Sequence, residues 1–236
     1  MASPWRMAKL RDISAWLSTM LYGNDARVNS LILVGRKHGL FTTGGRGVGA
    51  PEMTAQDAAT AVLLALYAGP PTKCHEAVRH LSALPWMQVR VAPDGPREPA
   101  MTLLAETADV PPGLTTEPVD VAEVPLPHQF DAIPETPTVA LTKIFESDKP
   151  PYWLDGILVS NGPSGTTVEV TIYDLDKKSN AELCSERDFF EFTATYGNFG
   201  PSGHGGELGR RDDHSFTGEE LRSLYDLIHG VAEDSE

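Results

Sequence analysis

Arg46 stands inside Gly44-Gly45-Arg46-Gly47-Val48-Gly49, a basic, glycine-rich turn in a chain whose net charge is -14. Glycines let a backbone approach phosphates closely, and an arginine among them donates charge-assisted hydrogen bonds to an anion. A phosphate-gripping P-loop would need Lys-Ser/Thr after its last glycine; Ala50-Pro51-Glu52 follows instead. A dinucleotide fingerprint would need Gly-x-Gly-x-x-Gly between a strand and a helix, and the segment upstream has a helical period. The order that remains is helix, helix, short strand, basic turn, helix, which is that of a winged helix-turn-helix with the turn as its wing.

The residue types upstream suit the same chemistry. Arg27, Asn29, Ser30, Arg36 and Lys37 are the polar residues of one helical segment. Arg and Asn pair bidentately with guanine and adenine edges. Lys9 and Arg11, in the preceding helical segment, are expected as phosphate clamps that position without specifying. With Arg46, these eight residues are the candidate contacts to double-stranded DNA.

Other constellations carry less. His204, Asp212, Asp213 and His214 lie close together near Arg210-Arg211, and hydrolytic metal sites use such ligands. Their spacing matches no regular metal motif, so a nuclease built on His204 and Asp212 ranks last among the readings. Cys74 and His75 are adjacent, but Cys184 is the only other cysteine, too few for a cysteine zinc site or a disulfide framework. No nucleophile-elbow sequence occurs, and no cofactor, metal or catalytic residue is expected.

The elements that must position these residues follow from periodicity and caps. Leu10, Ile13, Leu17, Met20 and Leu21 give the segment from Met7 to Tyr22 one apolar helical face. Gly23 ends it, Asn24 or Asp25 caps a second helix to about His38, and Gly39 closes that one. Leu40 to Thr43 reads as a short strand. Thr54 with Asp57 forms a capping arrangement before an apolar helix from Ala55 to Ala68. Gly69-Pro70-Pro71 stops it, and another helix runs from about Thr72 to Leu84.

Ten prolines between Pro93 and Pro137, with many acids, make residues 89–137 an acidic connector. Beyond it, Thr138 to Ile144, Trp153 to Ser160, Thr167 to Tyr173 and Phe189 to Tyr196 read as strands. "PSGHGGELGRRDDH" reads as a loop, and Thr217 caps a last helix from Gly218 to about Val231. The expected fold class is α+β. Residues 1–88 form a winged helix-turn-helix module, and residues 138–236 form a small antiparallel sheet with a terminal helix.

The stretch "GRKHGLFTTGGRGVGAPEMTAQDAATAVLLALYAGPPTKCHEAVRHL" resembles a family of uncharacterised proteins from alphaproteobacterial prophages. The family pattern joins an arginine-bearing helix, Gly-Leu-Ile, Thr-Gly-Gly-Arg-Gly, a Met-Thr helix cap, Asp-Ala-Ala and a Leu/Ala run. The resemblance covers about residues 25–82, with a fainter echo from Ser215 to Ile228. It implies a phage-derived protein with a winged-helix start. "GNDARVN" replaces the family's more common Leu-Pro-x-x-Thr-Val.

Charge divides the chain unevenly. Residues 1–49 hold seven Lys/Arg against two acids, a net of +5, and the remainder holds twelve against 31, a net of -19. Such asymmetry suits a polyanion-facing module joined to an acidic body. No apolar run approaches the roughly 18 residues that span a bilayer, so no membrane partner is expected. The start lacks the apolar core of a signal peptide, and a cytoplasmic location is expected.

The leading expectation is a transcriptional regulator of phage or mobile-element genes that binds double-stranded DNA as a homodimer, with polymerase or another host protein at its acidic part. The alternative is a phage-encoded inhibitor of a host defence complex, its carboxylates imitating nucleic-acid phosphates.

Overall fold

A computed structural model describes residues 8–44, 50–93, 101–104, 126–148, 153–162, 165–175, 189–197 and 212–230. Within them the protein is α+β, with six α-helices and one antiparallel sheet of six strands. The helices are α1 (Leu10–Met20), α2 (Asp25–Lys37), α3 (Ala55–Ala65), α4 (Cys74–Ser82), α5 (Pro137–Glu146) and α6 (Gly218–His229). The strands are β1 (Trp86–Pro93), β2 (Met101–Leu104), β3 (Trp153–Gly162), β4 (Gly165–Leu175), β5 (Phe189–Gly197) and β6 (Asp212–Thr217). They lie in the order β2-β1-β5-β4-β3-β6.

The sheet follows from period-two alternation. Val89 and Val91, Phe192, Ala194 and Tyr196, Val168, Val170 and Ile172, and Ile157 and Val159 are all buried. The residues between them, such as Gln88, Arg90, Glu169, Thr171, Thr193 and Thr195, stay partly or fully open. One side of the sheet is therefore apolar and must be covered. Its buried residues and those of the helices form one continuous core.

Helix α3 sits at the centre of that core. Every residue from Ala55 to Ala65 except Gln56 is buried. Ala58, Ala59 and Ala61 let neighbouring helices approach closely, and α3 packs on α5, α4, α1 and α6. The first and last of these helices meet as well. The Trp16 indole N–H of α1 donates to Ser223 Oγ of α6 at 3.0 Å, and its ring lies 5.8 Å from that of Phe216. Tyr225 Oη of α6 donates to the Ser147 carbonyl at 2.6 Å, tying α6 to the end of α5.

Several expected elements differ. The segment from Thr138 to Ile144, expected as a strand, lies in helix α5. Thr136 Oγ1 accepts from the Val139 amide, Pro137 opens the first turn, and Pro137, Ala140, Leu141, Ile144 and Phe145 are buried at three- and four-residue steps. The boundary expected at residue 88 falls within β1, which pairs with β5, and residues 101–104 of the expected connector form β2 on β1. The last part of the expected loop, Asp212 to His214, belongs to edge strand β6 on β3. Leu40 to Thr43 is not a strand.

The reason for this last difference is Asp57. Its buried carboxylate accepts from the Thr54 amide at 2.8 Å and the Thr54 hydroxyl at 2.9 Å, closing the capping box of α3. Its other oxygen accepts from the Thr42 amide at 2.7 Å. The bond that a hairpin partner would have made goes to a side chain instead. Both flanks of the glycine ribbon are thereby held by one carboxylate.

Substituting Asp57→Ala removes these acceptors and leaves the partly buried Thr42 and Thr54 amides without their partner. The expected outcome is a loss of about 2–4 kcal/mol in urea unfolding, with faster hydrogen exchange at the Thr42 and Thr54 amides. Unchanged protection of both amides would contradict the pin.

Candidate nucleic-acid interface

Helices α1 and α2 follow one another in the chain and pack together. Leu21 to Asn24 joins them, with Tyr22 (φ 56°) and Gly23 (φ 74°) in the left-handed region. Asn24 Oδ1 caps α2 by accepting from the Arg27 amide at 3.1 Å. Helix α2 buries Val28, Leu31 and Gly35 and packs on α1, α4 and the Pro71–Lys73 turn. Gly35 is required by closeness: a Cβ there would lie 3.0 Å from the Phe41 ring. Phe41 is buried against the end of α2, so the glycine ribbon departs within a few residues of Arg36 and Lys37.

The opposite face of α2 is open. Asp25, Ala26, Asn29, Ser30, Leu33, Arg36 and Lys37 are exposed, and their spacing keeps the stripe from Ala26 to Lys37 on one side of a 3.6-residue helix. Among the described residues, Asn29, Arg36 and Lys37 have no side-chain hydrogen bond or ion pair. The Ser30 hydroxyl donates to the Ala26 carbonyl at 2.9 Å and keeps acceptor capacity. Arg11, exposed on α1, pairs with its neighbour Asp12 at 3.4 Å.

Two expected contacts are turned inward. Arg27 Nη2 donates to the carbonyls of Tyr67 and Gly69, the latter at 3.0 Å, so its guanidinium closes the turn after α3. Lys9 Nζ donates to the Ala50 carbonyl at 2.9 Å and lies 3.7 Å from Glu52, fixing the exit of the glycine ribbon. Both are structural fastenings and not free cations. Arg46 lies outside the described residues. Of the eight candidates the structure thus groups Asn29, Ser30, Arg36 and Lys37 on one face, leaves Arg11 on another helix and withdraws Lys9 and Arg27. Leu33, 69% exposed at the centre of the stripe, was absent from the sequence-based set.

The C-terminal end of α2 carries a further pairing. The rings of His38 and His75 stack with centroids 3.5 Å apart and planes 14° from parallel. Arg79 Nη2 of α4 donates to the His38 carbonyl at 3.0 Å. Loss of water around the stacked ring holds the His38 pKa below its ordinary value, and His75, Lys37 and Arg79 act in the same direction, against Glu76. The Cys74 thiol is buried against the Leu31 carbonyl, and burial pushes its pKa up against the pull of Arg27.

Among the described residues no group of three or more His, Cys, Asp or Glu is placed to hold a metal ion. His204 lies outside them. No helix within them is long and apolar enough to cross a membrane. Comparison with family models, curated proteins and solved structures yields no match.

Two outcomes follow from this geometry. Arg27→Ala should lower stability by about 1–3 kcal/mol in denaturant titration, since two carbonyls lose a charged donor. Arg27→Lys should restore only part, because an ammonium is more strongly hydrated than a guanidinium and costs more to draw away from water. An Arg27→Ala protein of full stability would return Arg27 to the pool of free cations. For His38, a folded-state pKa below the unfolded value means that the folded protein binds fewer protons. Its contribution to stability is complete above about pH 6.5 and is lost as the pH falls from there toward the lowered value. Melting temperatures from pH 8 to 5 should therefore fall less steeply for His38→Gln than for the native chain, and parallel curves would count against the stack.

Proposed function

We propose that this protein binds double-stranded DNA through the open face of α2, as a regulator of phage or mobile-element genes. The observation that carries the reading is the stripe of Asn29, Ser30, Arg36 and Lys37 on one exposed helix face, with no intramolecular partner for Asn29, Arg36 or Lys37 among the described residues. A helix of this kind fits the major groove, where arginine and asparagine read base edges and lysine meets phosphate. The four-residue turn with its glycine is of the length that joins helix-turn-helix pairs.

In this reading the glycine ribbon serves as the wing, entered at Thr42 and left at Ala50 and Thr54, whose backbones are held by Asp57 and Lys9. Its Arg46 reaches phosphate from a tether fixed at Thr42, Thr54 and Ala50. Two copies related by a twofold axis would place two α2 faces one helical turn apart on a palindromic site. The acidic remainder repels non-specific DNA and offers its surface to a protein such as polymerase.

The test is fluorescence anisotropy of the full chain on a random-sequence duplex pool across a salt series. Arg36→Ala, Lys37→Ala and Arg46→Ala should each weaken binding and reduce the slope of log K against log salt by about 0.9, the value for one phosphate contact on B-DNA. A slope unchanged by all three variants would remove this face from the interface. No duplex binding at all, together with capture of a basic nucleic-acid enzyme, would transfer the reading to an inhibitor that mimics nucleic acid.

A further inference from the structure

The proposed interface contains one residue that phosphate binding does not explain. Leu33 is 69% exposed. A single exposed leucine is ordinary on a protein surface, but this one occupies the middle of the polar stripe. At 100° per residue, Asn29 and Arg36 lie to one side of Leu33 and Ser30 and Lys37 to the other. Along the axis, Leu33 is about 6 Å from Asn29 and about 4.5 Å from Arg36. The span from Asn29 to Lys37, about 12 Å, matches three to four base steps of about 3.4 Å.

Resting on the DNA-binding reading, we infer that Leu33 is a specificity-determining residue that seats the 5-methyl group of a thymine in the major groove. That methyl is the one apolar feature the major groove presents. The positive flank formed by Arg36 and Lys37 favours an anionic partner over an apolar one, and the amide of Asn29 and hydroxyl of Ser30 beside it suit base edges. Asn29, on the N-terminal side of Leu33, is the residue type that pairs with adenine, and Arg36, on the other side, is the type that pairs with guanine. The preferred half-site accordingly holds a thymine between an adenine contact and a guanine contact. The buried face of α2 does not involve Leu33, so its replacement leaves the packing of α2 on α1 and α4 intact.

The experiment is a selection of bound duplexes from a random library by the full chain, followed by a two-by-two comparison. Each thymine of the selected site is replaced in turn by deoxyuridine, which lacks only the methyl, and each duplex is titrated with the native chain and with Leu33→Ser. At one thymine the native chain should lose about fourfold in affinity, the worth of one buried methyl group. Leu33→Ser should bind the two duplexes equally and should select sites without a preference there. Circular dichroism and melting of Leu33→Ser should match the native chain.

Three results overturn the inference. Equal losses for both proteins at every thymine would mean that the methyl is read elsewhere or not at all. Duplex binding with no selected motif would leave DNA binding standing while removing sequence reading by Leu33. Unaltered base preference with weakened self-association of Leu33→Ser in sedimentation would assign the leucine to a contact between copies. Failure to bind any duplex would instead sink the DNA-binding reading on which this one rests.

Discussion

The burial of α3 on every side is the constraint from which the rest of the arrangement follows. A helix with ten of its eleven residues buried needs partners all round, and its small alanines allow them to come close. It takes α1 and α4 from the first part of the chain and α5 and α6 from the last. The buried side of the sheet completes the same core. Helix α2 is left to pack on α1, α4 and the Pro71–Lys73 turn, and its remaining face meets solvent. The exposure of Asn29, Leu33, Arg36 and Lys37 is thus a consequence of where the interior lies. The single acid of α3, Asp57, would be a liability at this depth, and it is satisfied by the Thr54 hydroxyl and by the backbone on both sides of the glycine ribbon. One buried carboxylate couples the central helix to the loop beside the candidate interface.

Local signals were legible where the physics is local. Capping boxes at Thr54 and Thr217, the glycine after α2 and the apolar period of α1 each act within a few residues, and the helices they announce are present. Strand signals failed where composition hid them. β1 and β2 lie at the edge of a proline-rich, acidic stretch, and β1, the one strand to which β2 is bonded, pairs on its other side with β5, about a hundred residues away. Helix α5 was hidden by its β-branched residues, although Thr136-Pro137 and the spacing of Ala140, Leu141, Ile144 and Phe145 carry a helical signature. The expected strand at Leu40 to Thr43 was lost to a bond between Thr42 and Asp57, fifteen residues apart. Nothing local in either residue announces that partnership.

The candidate site shows the same division. Residue types identified Arg27 and Arg36 as equivalent, yet they are nine residues apart. Nine residues are about two and a half turns, so the two guanidinium groups leave α2 on opposite sides. Spacing alone therefore forbade both from facing one groove, and Arg27 spends its donors on the turn after α3. Lys9 is different, because its carbonyl partner at Ala50 lies across the ribbon and no periodicity foretells it. Leu33 carries no signal of exposure in its type, since leucine is among the residues most often buried. Its position relative to Val28, Leu31 and Gly35 places it on the other face.

A net charge of -14 does not by itself oppose contact with a polyanion. At physiological salt the screening length is about 8 Å, so a phosphate responds to charges within roughly that distance and much less to the acidic total. Arg36 and Lys37 at the C-terminal end of α2, with Arg79 bonded to the His38 carbonyl beyond it, concentrate positive charge in one small volume. Part of that charge has a purely structural use, since cations near a helix C-terminus complement its dipole. The dipole effect fades within a turn, however, and cannot account for Asn29, which stands mid-helix without a partner among the described residues. A face that only stabilised its own helix would need charge at its end and nothing in particular at its centre. This face carries hydrogen-bonding capacity along its length, and the positive charge is local enough to be felt over the acidic remainder.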